Sequence, residues 1–375
     1  MKLIALKDVC KINMGQSPNS SSYNDYGDGM PFFQGNADFG ERYPITRVWC
    51  NTPTKIAQAE DILISVRAPI GALNYAKEEC CIGRGLAAIT PDRNKVSQDF
   101  IYWALKGKKA ELNDKGNGST FKAISRKILE ETMIPDINFE QQHKCAENLE
   151  KIYGIIQNRR KELLALDDLI KARFVEMFGD MIINPNGWGK VLLGEACDVR
   201  DGTHDSPKYF TEGYPLVTSK NVTGGKIDFA DCSLICEEDY NKINQRSKVD
   251  MGDILMPMIG TVGNPVIVDI EAEFAIKNVA LIKFRENSTV INSFVKALLE
   301  SDYFDRAVIS KVRGGTQKFI SLGDIRKLEI CLPPIAVQEQ FSDFAKQVDK
   351  SKVAVQKALD ETQTLFDSLM QEYFG

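Results

Sequence analysis

Polar side chains in glycine-containing loops are the residues of this sequence with the clearest chemistry. The first half carries such a loop in FFQGNADF, and the second half carries two, in DGTHDSPKY and VTSKNVTGG. Amide side chains can pair with adenine, basic ones with guanine, and hydroxyls with several base edges. Each of these residues alone is more typical of an ordinary loop, but as sets in both halves they favour contacts to base edges. The predicted contact residues also include two from the polar loop that precedes FFQGNADF. They are Ser17 and Tyr23 in that loop, and Gln34, Asn36, His204, Asp205, Ser219, Lys220 and Asn221 in the three loops quoted above.

Basic residues in both halves predict contacts to a phosphate backbone as well. Arg67 and Arg84 interrupt apolar runs, so either can reach a base or pair with a carboxylate, and the sequence leaves both alternatives open. A second set flanks glycine loops and would supply affinity and register rather than sequence information. The same set is equally typical of a solvated surface. It comprises Lys115, Lys122, Arg126, Arg313, Gln317 and Lys318.

The composition is that of a globular protein. The chain has 375 residues, of which 26% are charged and 43% hydrophobic, and this length favours two or three domains. A net charge of −5 argues mildly against a nucleic-acid partner, but residues 106–127 and the matching part of the second half are locally basic. No run approaches the ~18 apolar residues of a membrane span, and the start is too short and too charged for a signal peptide. We expect a cytoplasmic protein without membrane contact.

Motifs for catalysis or cofactor binding are missing from the sequence. There is no P-loop, no nucleotide-binding glycine fingerprint, and no NPPY-like tetrapeptide that could hold a flipped adenine. The nine cysteines have no metal-binding spacing and are interpreted as reduced, partly buried thiols. We therefore expect no catalytic residue, no metal and no cofactor on this chain.

The sequence repeats itself over its whole length, in the same order each time. LKDVCKINMGQSP returns as LGEACDVRDGTHDSP, EDILISVRAPIG as GDILMPMIGTVG, TFKAIS as TQKFIS, and IPDINFEQQ as LPPIAVQEQ. Such a period is far longer than the ~20–50 residues of a solenoid repeat. The repeat therefore predicts a duplicated domain with its helix, arranged with approximate two-fold symmetry. A two-headed molecule of this kind suits a repeating target such as duplex DNA.

The pattern of apolar residues predicts an α+β fold. Strands are expected at residues 62–66, 68–73 and 86–90, near Val217, and at 254–258, 265–269 and 279–284. Shorter helices are expected at 98–112, with Ser97 as N-cap, and at 292–309. We predict two similar mixed α/β domains separated by a pair of long helices. The expected boundaries are 1–138 for domain 1, 139–182 for helix 1, 183–334 for domain 2 and 335–375 for helix 2.

The two long helices carry apolar stripes that predict an antiparallel, coiled-coil-like pair. The first stripe consists of Leu149, Ile152, Ile156, Arg159, Leu163, Leu166, Ile170, Arg173 and Met177. The second consists of Phe341, Phe344, Val348, Val355, Leu359, Leu365, Phe366 and Leu369. Helices over 142–178 and 338–374 would each be about 55 Å long. An antiparallel pair would put the domains at opposite ends, able to contact sites about 34–36 Å apart, one turn of B-DNA.

The run GGTQKFISLGDIRKLEICLPPIAVQEQ, at residues 314–340, resembles the specificity subunit of type I restriction-modification systems. GNGSTFKAIS followed by IPDINFEQQ carries the same pattern in the first half. QSPNSSSYNDYGDGMPFFQGNADF resembles the opening of many target-recognition domains of that family. The first half departs from the pattern where it reads IPD rather than PP, and where Phe121 stands in place of Gln317. We therefore do not expect identical loop chemistry in the two domains.

The resemblance implies a recognition subunit without catalysis of its own. Each target-recognition domain would bind one half of a split sequence in double-stranded DNA, and the helices would dock two modification (methyltransferase) subunits, with or without restriction (motor-nuclease) subunits. S-adenosylmethionine and ATP with Mg²⁺ would then belong to the partners. Residues at the helix junctions and outer faces would meet these partners, or are simply solvent-facing: Gln141, Gln142, Arg159, Arg160, Glu339 and Gln340. The alternative is a non-catalytic scaffold that joins protein partners through the helix pair.

Overall fold

The computed structural model of the chain describes residues 2–116, 122–259, 263–271, 273–311 and 319–375. The chain divides into two compact units. Unit 1 comprises Met1–Arg160 and Lys357–Gly375, and unit 2 comprises Lys161–Gln356. Each unit thus contains one globular domain together with segments of two long helices.

Unit 1 is a mixed α/β domain. Its strands are β1 Leu3–Ala5, β2 Cys10–Met14, β3 Tyr23–Asn24, β4 Met30–Phe33, β5 Trp49–Cys50, β6 Ile56–Ala57, β7 Ile62–Ser65, β8 Leu73–Tyr75, β9 Cys80–Ile82, β10 Leu86–Pro91 and β11 Met133–Pro135. Its short helices are α1 Leu6–Val9, α2 Gln98–Gly107, α3 Lys109–Asp114 and α4 Arg126–Glu130. The first long helix, α5 Phe139–Phe178, begins directly after β11.

Three sheets build this domain. An antiparallel sheet has the order β2-β10-β7-β8, and a mixed sheet has the order β3-β5-β4-β9-β6, in which β4 and β9 are parallel. The central pair β7 and β10 is almost wholly buried, which explains the continuous apolar runs of these two segments. The first strand, β1, pairs with the last, β11, so that Leu3 lies opposite Pro135.

Unit 2 repeats this plan. Its strands are β12 Lys190–Leu192, β13 Asp198–Asp201, β14 Tyr214–Val217, β15 Val222–Thr223, β16 Lys226–Ile227, β17 Ser233–Ile235, β18 Ile254–Pro257, β19 Val266–Ile267, β20 Ala275–Ile276, β21 Val279–Lys283 and β22 Glu329–Cys331. Its helices are α6 Leu193–Ala196, α7 Glu237–Ser247, α8 Asn292–Leu299, α9 Asp302–Ala307, α10 Leu322–Arg326 and the second long helix, α11 Ile335–Phe374.

The sheets of unit 2 correspond to those of unit 1. The order β13-β21-β18-β19 matches β2-β10-β7-β8, and β14 and β20 are parallel as β4 and β9 are. The pair β12–β22 again joins the first and last strands of the domain, with Lys190 opposite Cys331. One difference is a helix in place of a strand. In unit 1 the strand β6 lies between β5 and β7 in the chain, whereas in unit 2 the helix α7 lies between the corresponding strands, β17 and β18.

The long helices α5 and α11 each have 40 residues and are therefore about 60 Å long. In unit 1 the early part of α5 lies beside the late part of α11: Tyr153 packs against Phe366, and Arg160 Nη2 lies 3.3 Å from Gln363 Oε1. In unit 2 the late part of α5 lies beside the early part of α11, as in the 2.5 Å pair between Asp167 and Lys352. Within each unit the two helical segments therefore run antiparallel.

The sequence predicted the strands better than the ends of the shorter helices. The strands expected at 62–66 and 86–90 are present as β7 and β10, and all four segments expected in the second half are present. The strand expected at 68–73 is wrong, because a turn containing Pro69 precedes β8. The helix expected at 98–112 breaks at Lys108, and Ser97 is its N-cap without a side-chain capping bond. The helix expected at 292–309 breaks before Asp302. In the second of the two apolar stripes predicted for the long helices, Leu365 is exposed and so is not a packed member of the stripe.

The thiols of unit 1 and unit 2 are free and mostly buried, as the sequence predicted. Burial raises the pKa of Cys10, Cys80, Cys145 and Cys197 to about 12, so these thiols stay protonated and behave as small apolar groups. Among the described residues, no helix is both long enough and apolar enough to cross a bilayer.

Lys106 on α2 gives unit 1 a testable pH dependence. Its ammonium lies 3.5 Å from the centre of the Tyr153 ring, and burial lowers its pKa to about 8. An unfolded lysine titrates near 10.4, so between pH 8 and 10 the folded state binds fewer protons than the unfolded one. We expect this group to raise the free energy of unfolding with pH in that window, by about 1 kcal/mol per pH unit.

Urea unfolding of the wild type, Lys106→Met and the exposed-site control Lys77→Met at pH 8, 9 and 10 measures this slope. The slope should decrease in Lys106→Met and persist in Lys77→Met. An equal slope in all three proteins would show that Lys106 is not the titrating group.

Candidate nucleic-acid interface

Three backbone segments of unit 1 cross at one point: the residues after β2, the residues after β4, and the segment between β9 and β10. They are joined by backbone hydrogen bonds from Gly15 N to Leu86 O (2.9 Å), Gln16 N to Ile82 O (2.9 Å), Gly83 N to Phe33 O (2.8 Å) and Gly85 N to Gln34 O (3.1 Å). We call this arrangement the unit 1 crossing. It brings together residues that are far apart in the sequence.

Glycine is required where the segments touch. A Cβ atom at Gly15 would lie 2.1 Å from the carbonyl oxygen of Gly83, and one at Gly85 would lie 2.4 Å from that of Gln34. Both contacts are with backbone, which cannot rotate away as a flexible side chain can. The glycines thus allow a close approach that places their neighbours side by side.

Arg84, between two of these glycines, is an exposed basic residue of the crossing. Its backbone N–H donates to Ser17 Oγ at 3.2 Å, while its exposed guanidinium makes no hydrogen bond or ion pair with any described residue. The amide of Gln34 is also exposed and unpaired among the described residues. The structure therefore brings Ser17, Gln34 and Arg84 together, and two of these side chains present free donors.

The same surface continues to Arg67 and Lys122. Val66 N donates to Gly85 O at 2.9 Å, and Ala68 N donates to Lys122 O at 3.1 Å. Arg67 and Lys122 are exposed, and within the described part of the chain neither side chain has a hydrogen bond or ion pair. For Arg67 and Arg84, the structure thus shows no carboxylate partner among the described residues. Four side chains on adjoining backbone segments therefore carry donors that are unpaired among the described residues. They are those of Gln34, Arg67, Arg84 and Lys122.

Other residues expected here are used within the domain. The Tyr23 hydroxyl donates to Pro18 O at 3.0 Å, its ring stacks on Phe32, and burial raises its pKa. Asn36 is half-buried at the start of a 3₁₀ turn. Lys115 and Arg126 are paired with the carboxylates of Glu111 and Glu130 at 2.6 and 2.7 Å. Lys122 is therefore the member of the first-half phosphate set whose side chain is unpaired among the described residues.

Unit 2 contains an equivalent arrangement, the unit 2 crossing. Its bonds run from Gly202 N to Val279 O (3.1 Å), Thr203 N to Ile276 O (2.9 Å) and Lys277 N to Val217 O (2.9 Å). A Cβ atom at Gly202 would lie 2.2 Å from Ile276 O, as at Gly15 in unit 1. By these bonds Gly202, Thr203 and His204 correspond to Gly15, Gln16 and Ser17, and Asn278 stands near the place of Arg84.

The polar residues of the unit 2 crossing differ from those of unit 1. His204 lies between Asp201, with Nε2 to Oδ2 at 2.8 Å, and Asn278, with Nδ1 to Oδ1 at 2.7 Å. Ser219 Oγ donates to Asn278 O at 3.3 Å. Asp205 and Lys220 are exposed, and no hydrogen bond or ion pair of their side chains is found in the described residues. His204, Ser219 and the unpredicted Asn278 are thus brought together.

Asn221 does not present its side chain as expected. It is 6% exposed, and its Oδ1 accepts from the backbone N–H and the hydroxyl of Thr218 at 3.0 and 2.8 Å. This amide shapes the loop instead of facing solvent. Arg313, Gln317 and Lys318 lie outside the described residues.

Gln142 was expected to face a partner but is 3% exposed and bound inside unit 1. Its Oε1 accepts from Ser97 N at 2.7 Å, and its Nε2 donates to Ile137 O at 2.8 Å. In unit 2, Gln338 does the same with Ile291 N at 3.0 Å and Pro333 O at 2.9 Å. These two glutamines join each domain to the first turns of the long helix that follows it.

The sequence missed Gln338 because pairing IPDINFEQQ with LPPIAVQEQ is off by two residues and matches Gln142 with Gln340. Aligning the strands β11 and β22 instead would have found it. Gln141, Glu339, Gln340 and Arg160 are exposed, as surface residues at the helix junctions and on the helices should be. Arg159 is half-buried, with its Nε shielded from solvent, and so does not lie on an outer face.

Comparison with known proteins agrees with the duplicated plan. The family model of the type I restriction modification DNA specificity domain matches residues 1–165 and again 185–362. The chain belongs to the type I restriction-modification specificity family. It is 22% identical over 413 aligned residues to the EcoBI specificity subunit of Escherichia coli, covering 99% of this chain and 85% of that protein. It matches the crystal structure of the S subunit from M. genitalium with a TM-score of 0.60 at 16% identity, over 100% of this chain and 96% of that one.

A second relative of this specificity family is more similar over a shorter region. The chain is 47% identical over 152 residues to the putative MjaX specificity subunit of Methanocaldococcus jannaschii. That match covers 40% of this chain and 36% of the relative.

Proposed function

We propose that this specificity subunit recognises a bipartite sequence in double-stranded DNA, each domain contacting one half-site through its crossing. The observation that carries the proposal is the repeated crossing itself. The same backbone arrangement, enforced by a glycine in each unit, presents Arg84 and Gln34 in one domain and the His204–Asn278 pair in the other. A common scaffold with different polar groups is what independent recognition of two unlike half-sites requires.

The chemistry available in unit 1 favours contact with guanine through Arg84. A guanidinium can donate two hydrogen bonds to O6 and N7 of guanine, and Gln34 can pair in the same way with adenine. Arg67 and Lys122 lie beside them and suit phosphate contacts that fix the register on the duplex. These roles follow from exposed donors that no described residue satisfies.

We further propose that α5 and α11 form one antiparallel, coiled-coil-like pair that sets the spacing between the half-sites. The antiparallel contacts found separately within each unit support this arrangement, as do the equal lengths of the two helices. The helices would also dock two modification subunits, which supply S-adenosylmethionine and the methyl transfer. Restriction subunits with ATP and Mg²⁺ would complete a nuclease, and this chain itself would contribute no catalytic residue.

The proposal is tested by assembling the chain with type I modification subunits and mapping the protected and methylated DNA. Two protected patches separated by unread base pairs support it. Binding of the modification subunits without any sequence-dependent protection would instead indicate the scaffold.

Arg84→Ala gives the sharpest single test of the half-site assignment. We expect the variant to lose discrimination at one base pair of one half-site by about 1–3 kcal/mol, because its guanidinium is exposed and can donate two hydrogen bonds to guanine. The other half-site should be unaffected. Competition binding with duplexes that differ at one position measures both.

Arg93→Ala is the matched control, since it removes the same charge beyond the opposite end of β10. It should change neither half-site. A uniform loss of affinity for all sequences in Arg84→Ala would assign Arg84 to phosphate instead of base.

A further inference from the structure

A chain of polar contacts leads from α7 to the surface of the unit 2 crossing. Asp201 on β13 is only 9% exposed, and both of its carboxylate oxygens are occupied. One contacts Arg246 Nη2 of α7, and the other lies 2.8 Å from His204 Nε2. The far side of the imidazole, Nδ1, lies 2.7 Å from the amide oxygen Oδ1 of Asn278. The buried carboxylate therefore fixes the ring, and the ring contacts the amide.

The backbone of Asn278 is fixed as tightly as its side chain. Its φ of 54° lies in the left-handed region, which asparagine adopts more readily than most residues. Its N–H donates to Thr203 O at 3.2 Å, and its carbonyl accepts from Ser219 Oγ at 3.3 Å. The backbone of Asn278 is thus held from both sides, and the residue is half-buried, so that part of it is exposed.

We propose that Asn278 recognises an adenine in the half-site bound by unit 2, and that His204 and Asp201 are positioning residues for its amide. The inference rests on the proposed function and names one contact within it. Asn278 was not among the residues expected from the sequence, and it stands in the repeat where unit 1 has Arg84. The helix α7, which replaces β6, supplies the Arg246 that neutralises Asp201.

The stereochemistry of the amide explains why its neighbour matters. The atom that faces Nδ1 of His204 is the amide oxygen Oδ1 of Asn278, which only accepts, so the ring donates Nδ1–H to one of its two lone pairs. The other lone pair of this oxygen and the amide N–H beside it then remain free. They form the edge that accepts from N6 and donates to N7 of adenine.

The experiment uses the full chain assembled with modification subunits, in competition binding against duplexes with single substitutions in either half-site. Asn278→Gly keeps the left-handed backbone and removes the amide, and we expect about a 10- to 100-fold loss of discrimination at one A·T pair. Asn278→Asp keeps the shape and removes the donor. Replacing that adenine by 7-deazaadenine, which lacks N7, should lower the affinity of the wild type for the duplex. The same replacement should leave the affinity of Asn278→Asp unchanged. Asn287→Gly, the same change at an exposed turn after β21, is the control.

The positioning role has its own readout. His204→Ala should lower the discrimination at that A·T pair and leave the half-site of unit 1 unchanged, because the Asn278 amide loses the ring that holds its oxygen. His204→Gln still offers a donor to that oxygen, so it should restore the discrimination. If His204→Ala discriminates as well as the wild type, His204 is not the positioning group.

The half-site bound by unit 1 serves as the internal reference. Discrimination that survives in both half-sites of Asn278→Gly would overturn the inference and leave the proposed function standing. A wild-type complex that discriminates in neither half-site would overturn the proposed function itself.

Discussion

Replacing Gln338 by leucine is expected to lower the free energy of unfolding of unit 2 by about 3–9 kcal/mol. Its side chain is fully buried, accepts from Ile291 N at 3.0 Å, and donates to Thr289 O and Pro333 O at 3.0 and 2.9 Å. Leucine has a similar volume but leaves one N–H and two carbonyls without partners in a site closed to water. Each unpaired buried group costs about 1–3 kcal/mol.

Urea unfolding followed by circular dichroism and by tryptophan fluorescence measures this change. Gln340→Leu, two residues further along α11 and exposed, is the control and should shift stability by less than about 0.5 kcal/mol. Gln142→Leu should destabilise unit 1 by a smaller amount, because Gln142 makes two such bonds instead of three. Equal stability of Gln338→Leu and Gln340→Leu would mean that the junction of domain and helix does not depend on this amide.

Gly15→Ala is expected to disrupt the unit 1 crossing, at a cost of about 3–5 kcal/mol in the stability of unit 1. The added Cβ would lie 2.1 Å from the carbonyl oxygen of Gly83, so the two segments must separate. Separation weakens the neighbouring backbone hydrogen bonds in addition to the steric cost. Because Arg84 lies on the displaced segment, discrimination in the half-site of unit 1 should be lost as well, while that of unit 2 is kept.

Gly35→Ala provides a matched control in the same region. Its backbone is extended, and a Cβ there meets no atom within 4 Å. Thermal unfolding together with competition binding should therefore separate the two variants clearly. Normal stability and normal discrimination in Gly15→Ala would show that the crossing tolerates wider spacing and does not position Arg84.

The sequence predicts those strands and helices that depend on residues close together along the chain. The apolar runs around Ile62 and Leu86 form the central strands, because a strand buried on both faces needs a continuous apolar run. The long helices follow from their periodicity. The shorter helices were predicted too long, because periodicity continues past the breaks at Lys108 and before Asp302, and tertiary packing decides where each helix ends.

The candidate site depends on contacts that periodicity does not encode. Gln34 and Arg84 were both named from the sequence, but their proximity comes from the parallel pairing of β4 with β9. Asn278 had no local signal, since a single asparagine after a strand is ordinary. Gln142 was assigned to the surface by its polarity, and its burial becomes intelligible only with the backbone groups of Ser97 and Ile137 in place.

The pairing of first and last strands in each domain has an evolutionary consequence. Leu3 lies opposite Pro135 and Lys190 opposite Cys331, so the entry and exit of each globular part are about 5 Å apart. A recombination event that replaces everything between such neighbouring points leaves the two chain ends in place. The incoming domain must match the strand pair, the buried glutamine and the contacts with the long helices, such as that of Trp103 with Phe366. Where these are matched, a whole domain can be exchanged with the rest of the gene unchanged.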